Sequence, residues 1–350
     1  MRIVLTGGGT AGHIIPNMAV IEEIRKRGGA EILYIGSKGG VESGMMEKMG
    51  VPYAGVHCGK LRRYFSWKNF VDALKVPTGV FQAYKALKEF SPDVVFSKGG
   101  YVAVPVVIAA SVLKIPVISH ESDVSPGLAN KISFRFSKQI CLSFEETKSF
   151  LSKSLLKKVV VTGNPVRESI FQGDGERGYR FTGLDKHRPV ILVMGGSLGA
   201  KQINDLVRDG LNELLKRYQV VHIAGKGNLD LSAHKEGYRQ YEFLDEPLRD
   251  IFAMSEMVVS RGGANSLFEL ALMQKKVLII PLAMNASRGE QIANAQVFVR
   301  KFGWSMISGN ISTNEFLKTI DYAFNNNINK SAKVVNGTSL IVDIINKFKK

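Results

Sequence analysis

Short runs of β-branched and aliphatic residues recur along the chain, each closed by a glycine turn and followed by a stretch of helical length. "RIVLTG", "AEILYIG", "DVVFSKG", "IPVISH", "QICLSF" and "KVVVTGNP" fill the first half; "PVILVMGG", "YQVVHIAG", "YEFLD", "MVVSRGG" and "KVLIIPL" fill the second. Nearly continuous apolar strands joined by helical crossovers mean parallel sheets covered on both faces. At 350 residues the chain exceeds what one core usually holds. The expectation is an α/β protein of two doubly wound, Rossmann-like domains facing a cleft, with a seam near "TGNPVRESIFQ".

Four strand-to-helix turns carry paired glycines: "RIVLTGGGTAGHIIP", "SKGGYVAVP", "PVILVMGGSLGAKQIN" and "SRGGANSLFE". The first satisfies G-x-G-x-x-G over Gly7–Gly12. A nicotinamide or flavin site also wants an acid at the end of the second strand, to hold a ribose. Here that strand ends Gly36-Ser37-Lys38, so the NAD-dependent oxidoreductase reading is demoted. Glycine turns at helix N-termini still present backbone N–H groups and partial positive charge to anions. One such turn is only a turn; four in equivalent places point to a diphosphate. No Asp-x-Asp pair is present to hold a metal on it, and Arg167 or Arg261 could stabilise a leaving diphosphate instead.

The net charge of +16 is uneven: residues 1–163 carry +10, 164–329 carry +2 and 330–350 carry +4. A basic first half suits an anionic surface. "KLRRYFSWKNFVDALKV" (60–76) is the candidate membrane contact, with Leu61, Arg62, Arg63, Tyr64, Phe65, Trp67 and Lys68 interleaving cations and aromatic wedges. The segment past Val71 reads as an ordinary helix packed on a sheet. No nucleic-acid-binding signature accompanies it, so nucleic acid is not expected as a partner. Two distant cysteines, Cys58 and Cys141, suggest a reducing compartment. No secretory signal is visible, and the apolar run at 102–113 is too short to span a bilayer.

The strings "TGGGTAGHIIP", "SKGGYVAVP", "HESDVSPGLANK", "TGNPVR", "GGSLGAKQIN", "SRGGANSLFEL" and "RGEQIANA" together resemble the peptidoglycan lipid II synthases of bacteria. These are UDP-N-acetylglucosamine:undecaprenyl-pyrophosphoryl-muramoyl-pentapeptide N-acetylglucosaminyltransferases, and the resemblance spans roughly residues 1–300. It implies the glycosyltransferase B fold, with an acceptor and membrane-facing domain over 1–163 completed by a helix at 334–350, and a UDP-sugar domain over 164–333. It also implies inverting, metal-independent transfer without a cofactor, at the cytoplasmic face of the cell membrane. The partners would be UDP-N-acetylglucosamine, the lipid-linked muramoyl-pentapeptide and an anionic membrane surface.

The resemblance carries roles to particular residues. Arg167, Ser197, Leu244 (through its backbone), Ala264, Asn265, Ser266, Glu269 and Gln291 would bind the donor. Asp123 stands where many relatives carry Asn, and an ionised Asp cannot donate a hydrogen bond, which puts a donor contact there in doubt. Thr10, Gly12, Gly99, Gly100 and Tyr101 would line the acceptor side. His13, at a helix start that favours a neutral imidazole, is the candidate base. Glu121 and His120 are its rivals, although Glu121 also reads as a loop-bracing carboxylate. The alternatives are a diacylglycerol glycosyltransferase, a UDP-N-acetylglucosamine 2-epimerase, and a nucleotide-sugar sensor without turnover.

Overall fold

The structure, a computed structural model, describes residues 1–59, 67–196, 199–282 and 289–349; the side chains of residue 11 and of 67–75 lie outside the description. Two compact units result. One comprises Met1–Arg167 with Val335–Lys350, the other Glu168–Val334.

In the first unit, β1 (Arg2–Thr6), β2 (Glu31–Ser37), β3 (Tyr53–Val56), β4 (Val94–Ser97), β5 (Val117–Glu121), β6 (Gln139–Leu142) and β7 (Val159–Val161) form one sheet ordered β3-β2-β1-β4-β5-β6-β7. Every pairing is parallel. The crossovers run through α1 (Ala11–Arg27), α2 (Val41–Lys48), α3 (Trp67–Phe90), α4 (Ala103–Val112), α5 (Leu128–Phe136) and the single turn α6 (Lys153–Leu156). All of β4 and β5 is buried, as strands covered on both faces must be. The apolar run at 102–113 is α4, with Ala103, Val106, Val107, Ala109 and Ala110 in the core.

In the second unit, β8 (Val190–Met194), β9 (Gln219–Ile223), β10 (Tyr238–Tyr241), β11 (Met257–Ser260), β12 (Lys276–Ile279) and β13 (Ser305–Met306) form a parallel sheet ordered β10-β9-β8-β11-β12-β13. It is flanked by α7 (Gly175–Thr182), α8 (Lys201–Arg217), α9 (Pro247–Met254), α10 (Ala264–Leu272), α11 (Glu290–Phe302) and α12 (Thr313–Asn325). Three edge regions depart from the sequence reading. β3 and β13 are strands without a marked apolar run, and β10 overlaps the expected "YEFLD" only at Tyr241. Edge strands share one side with solvent, so the continuous apolar pattern fades there.

The chain returns to the first unit through α13 (Thr338–Asn346). Its Ile341, Val342, Ile344 and Ile345 enter the core made by Ile3, Leu5, Ile14, Val20 and Ile21. On the surface Arg27 joins Asp343 at 2.5 Å and Ser339 Oγ at 2.6 Å. The outgoing and returning segments are stitched together within this unit. The Asn336 side chain pairs with both backbone groups of Val166, at 3.1 and 2.9 Å, and Gly337 N–H donates to Asn164 O at 2.9 Å. Asn164 to Arg167 therefore belong to the first unit, a few residues past the seam placed at 163. Among the described residues no helix is long and apolar enough to cross a membrane.

Ile341→Ala should destabilise the first unit by about 2–5 kcal/mol, seen as faster amide exchange in β1 and β4 with β8 to β12 unaffected; equal protection in β1 would show that α13 contributes no core packing.

Candidate active site

Parallel strands with crossover helices all emit their carboxyl ends at one edge of the sheet, where ligand crevices form. In the first unit that edge gathers the turns after β1, β4 and β5. Gly100 adopts φ +80°, and a side chain there would lie 2.6 Å from Gly8 O and 2.9 Å from the His13 ring. A side chain at Gly9 would lie 2.4 Å from the Tyr101 ring. The two glycine turns are thus in mutual contact, with Gly100 under the His13 imidazole and Gly9 under Tyr101. Thr10 is exposed at the N-cap of α1, and its side chain makes no capping bond. Gly12 is exposed and His13 half-buried in the first turn, where His13 N–H reaches Thr10 O at 3.1 Å. The structure therefore brings Thr10, Gly12, His13, Gly99, Gly100 and Tyr101 to one place.

Glu121 is handled differently. It is 5% exposed. Its Oε1 accepts from Asp123 N–H at 3.0 Å, and its Oε2 accepts from Gly127 N–H at 3.0 Å and Asn130 Nδ2 at 2.9 Å. Those bonds hold the loop from β5 to α5 closed. His120 is wholly buried, with Nε2 3.1 Å from Gly163 O. Burial, with a contribution from the Lys98 charge, drives its pKa well below the ordinary value. Asp123 is half-buried in the same loop, its carbonyl accepting from Thr147 Oγ1 at 3.2 Å. Asp123 and Arg167 both belong to the first unit, apart from the other residues assigned to the donor.

The second unit gathers its own turns. Gly262 follows β11, and a side chain there would sit 2.3 Å from Gln291 O; Asn294 Nδ2 donates to Gly262 O at 3.2 Å. This contact sets the start of α11, with Gln291, against the start of α10, with Ala264, Asn265, Ser266 and, one turn on, Glu269. Gln291 Oε1 accepts Leu282 N–H at 3.0 Å, which fixes the amide so that its N–H groups point elsewhere. Leu244 follows β10 with a buried side chain. Burial lowers the pKa of Arg261, at the end of β11. Ser197 lies outside the described residues. So do Leu61, Arg62, Arg63, Tyr64 and Phe65, while Trp67 and Lys68 open α3 with side chains outside the description.

Several supporting residues escape a reading of the sequence. Glu42, on α2, is buried; its Oε1 takes Ser37 N–H at 2.8 Å and Ser37 Oγ at 2.6 Å. A side chain at Gly8 would meet the same oxygen at 2.5 Å. An acid does therefore stand at the end of β2, supplied by the next helix, bonded to Ser37 through one oxygen and packed close to Gly8 of the first turn. In the second unit His222 bridges Tyr238 OH at 2.9 Å and Asn204 Oδ1 at 3.0 Å. Asn204 Nδ2 donates to Ala224 O at 2.9 Å, the atom against which Gly199 packs. Nothing in "YQVVHIAG" distinguishes that histidine from a strand residue, because its partners come from α8 and β10.

Burial lowers the His222 pKa to about 3. The unfolded chain binds a proton near pH 6.5 that the folded unit refuses, so stability is complete above that pH and falls towards pH 3. The slope is about 1.4 kcal/mol per pH unit. His222→Gln should remove this component from the acid dependence of denaturant midpoints; an unchanged dependence would show that His222 takes up its proton without cost.

Comparison with known proteins matches the glycosyltransferase family 28 N-terminal domain to residues 3–142 and its C-terminal domain to residues 190–342. A relative from Clostridium perfringens is 47% identical, covering 99% of this chain and 98% of its own. It is named UDP-N-acetylglucosamine–N-acetylmuramyl-(pentapeptide) pyrophosphoryl-undecaprenol N-acetylglucosamine transferase. A Bacillus cereus relative of the same name, numbered 2, is 47% identical over 98% of both chains. Among solved structures, Acinetobacter baumannii MurG superposes with a TM-score of 0.71 at 22% identity, covering 99% of each chain. UDP-GlcNAc 2-epimerase from Neisseria meningitidis, bound to UDP-GlcNAc, gives 0.69 at 16% identity over 99% and 100%. At such identities these likenesses establish the two-domain fold alone, while the two matched domains and the curated relatives establish more: the chain belongs to glycosyltransferase family 28.

Proposed function

We propose that the protein transfers N-acetylglucosamine from UDP-N-acetylglucosamine to the muramoyl-pentapeptide of an undecaprenyl-pyrophosphate-linked acceptor, lipid I, giving lipid II for peptidoglycan synthesis. The observation that carries this reading is the 47% identity, over 99% of the chain, to relatives named for that reaction. The oxidoreductase, lipid-glycosylating and epimerase readings have no comparable support.

In this reading the transfer is one metal-independent displacement with inversion. The acceptor hydroxyl oxygen bonds to the anomeric carbon as the bond from that carbon to the UDP oxygen breaks. The electron pair leaves with UDP, and the hydroxyl proton passes to a base. The second unit takes the donor: the N-terminus of α10 and the turn after β8 meet the diphosphate charge. Glu269 accepts from the ribose hydroxyls, Gln291 offers its N–H groups to the sugar, and the Leu244 backbone meets the uracil. The first unit takes the acceptor between its two touching glycine turns, with His13 as the base. Glu121 is the weaker candidate because both its oxygens already accept backbone or amide N–H bonds.

UDP release from several UDP-sugars, with and without a short-chain lipid I analogue, tests the reaction: release that depends on both UDP-N-acetylglucosamine and the analogue is expected. His13→Ala should then lower kcat by about 10²–10⁴-fold, whereas Glu269→Ala should chiefly raise the UDP-sugar KM. Near-normal turnover of His13→Ala would remove its assignment as base.

The acceptor is lipid-borne, so the enzyme must work at a membrane, in this reading peripherally on the cytoplasmic face. The basic charge of 1–163 and the segment at 60–68 support contact with anionic lipid. So do the exposed Leu128, Phe136 and Phe150 beside Lys131 and Arg135. Sedimentation with anionic vesicles, but not with neutral ones, is the expected result; failure to bind either would dispose of the membrane contact.

A further inference from the structure

Lys98 follows the last residue of β4 and precedes the Gly99–Gly100 turn, yet nothing above gives it a role. Its side chain is 1% exposed, a place where an ammonium persists only if hydrogen bonds and opposite charge offset its lost hydration. Its stem lies beside the first glycine turn, since a side chain at Gly7 would meet Lys98 Cβ at 3.1 Å. Its Nζ donates to Ser122 Oγ. Ser122 donates in turn to Asn164 Oδ1 at 2.7 Å, an oxygen that also accepts from Ser143 Oγ at 3.2 Å. A continuous chain of hydrogen bonds thus runs from the turn after β4, through the loop after β5, to the segment that Asn336 and Gly337 stitch to α13.

The groups facing this ammonium are known on each side. Glu121, which ends β5, and Asp123, in the loop after it, favour its charge; burial pushes the Cys141 thiol on β6 up to about 12, so it is uncharged here, and His120 on β5 is held neutral. Burial outweighs the favourable charges and brings the Lys98 pKa down to about 8.

We propose that Lys98 is a positioning residue for the acceptor: its buried ammonium joins the Gly99–Tyr101 turn to the Glu121–Gly127 loop and so keeps the acceptor-side turns in register with His13. This inference rests on the reading of the first unit as the acceptor side. Below pH 8 the ammonium is charged and the two segments are tied. Above it the bond to Ser122 loses its charge and the buried Glu121 carboxylate loses its counter-charge, so the turn and the loop loosen.

Steady-state kinetics of the full chain across about pH 6.5–9.5, with UDP-N-acetylglucosamine and a short-chain lipid I analogue, test it. The acceptor kcat/KM should fall through about pH 8 while the donor kcat/KM does not. Lys98→Met keeps the length and packing of the side chain without its charge. It should raise the acceptor KM about tenfold at neutral pH, the loss of one charge-assisted hydrogen bond, and abolish that alkaline limb. A wild-type acceptor KM in Lys98→Met, or a limb that survives in it, overturns the proposal. Should the variant fail to fold, the wild-type profile decides alone: an acceptor kcat/KM flat through pH 8 also overturns it. If the wild type transfers nothing to the analogue, the functional reading fails first, visibly and before any variant is compared, and this inference falls with it.

Discussion

Parallel strand pairing is the constraint from which the rest of the molecule follows. Parallel neighbours cannot be joined by a tight hairpin, so each strand must be followed by a crossover, here nearly always a helix. Every strand of a sheet then ends at the same edge, and every following helix begins there. Both units obey this, with β1, β4 and β5 delivering their turns to one edge and β8, β11 and β12 to another. Glycines are concentrated at these ends because the turns pack tightly on one another. The Gly100 turn holds Gly8 O and the His13 ring so closely that no side chain fits between them.

The polar interior supports these turns. Strands buried on both faces leave little water for polar side chains, so most of their polar atoms bond to partners inside. Glu121 does so with the N–H groups of Asp123 and Gly127 and the Asn130 side chain on α5, and His222 with Tyr238 and Asn204, whereas Glu42 is bonded through one oxygen only, to Ser37. In each case the polar group lies directly beneath a turn at the ligand edge, so the same bonds that make burial tolerable also rigidify the site. A charged or hydrogen-bonded group in this layer sets the geometry of the turns at that edge.

The two units differ in charge as well as in their turns. The first unit, with the returning helix α13, carries nearly all of the excess positive charge. The second is close to neutral and carries the helix starts suited to a nucleotide diphosphate. In the function proposed above, that asymmetry would suit one small anionic substrate and one substrate anchored in a lipid surface.

Much of this was legible in the chain. The alternating apolar runs determined two parallel sheets, since a strand buried on both faces must be apolar throughout, and the four glycine turns marked their ligand edges. The motifs also determined the family, because seven strings in fixed order are jointly specific where one G-x-G-x-x-G is not. Edge strands β3, β10 and β13 were poorly legible, because half of each faces solvent and the pattern weakens. Only the tertiary structure decided which turns touch, that Glu42 supplies the acid missing from the end of β2, and that Lys98, Ser122 and Asn164 form one chain. Those facts depend on side chains from separate elements meeting across the top of a sheet. Sequence spacing encodes where each strand ends, but not which neighbour lies beside it, because sheet order, unlike strand order, is settled by packing.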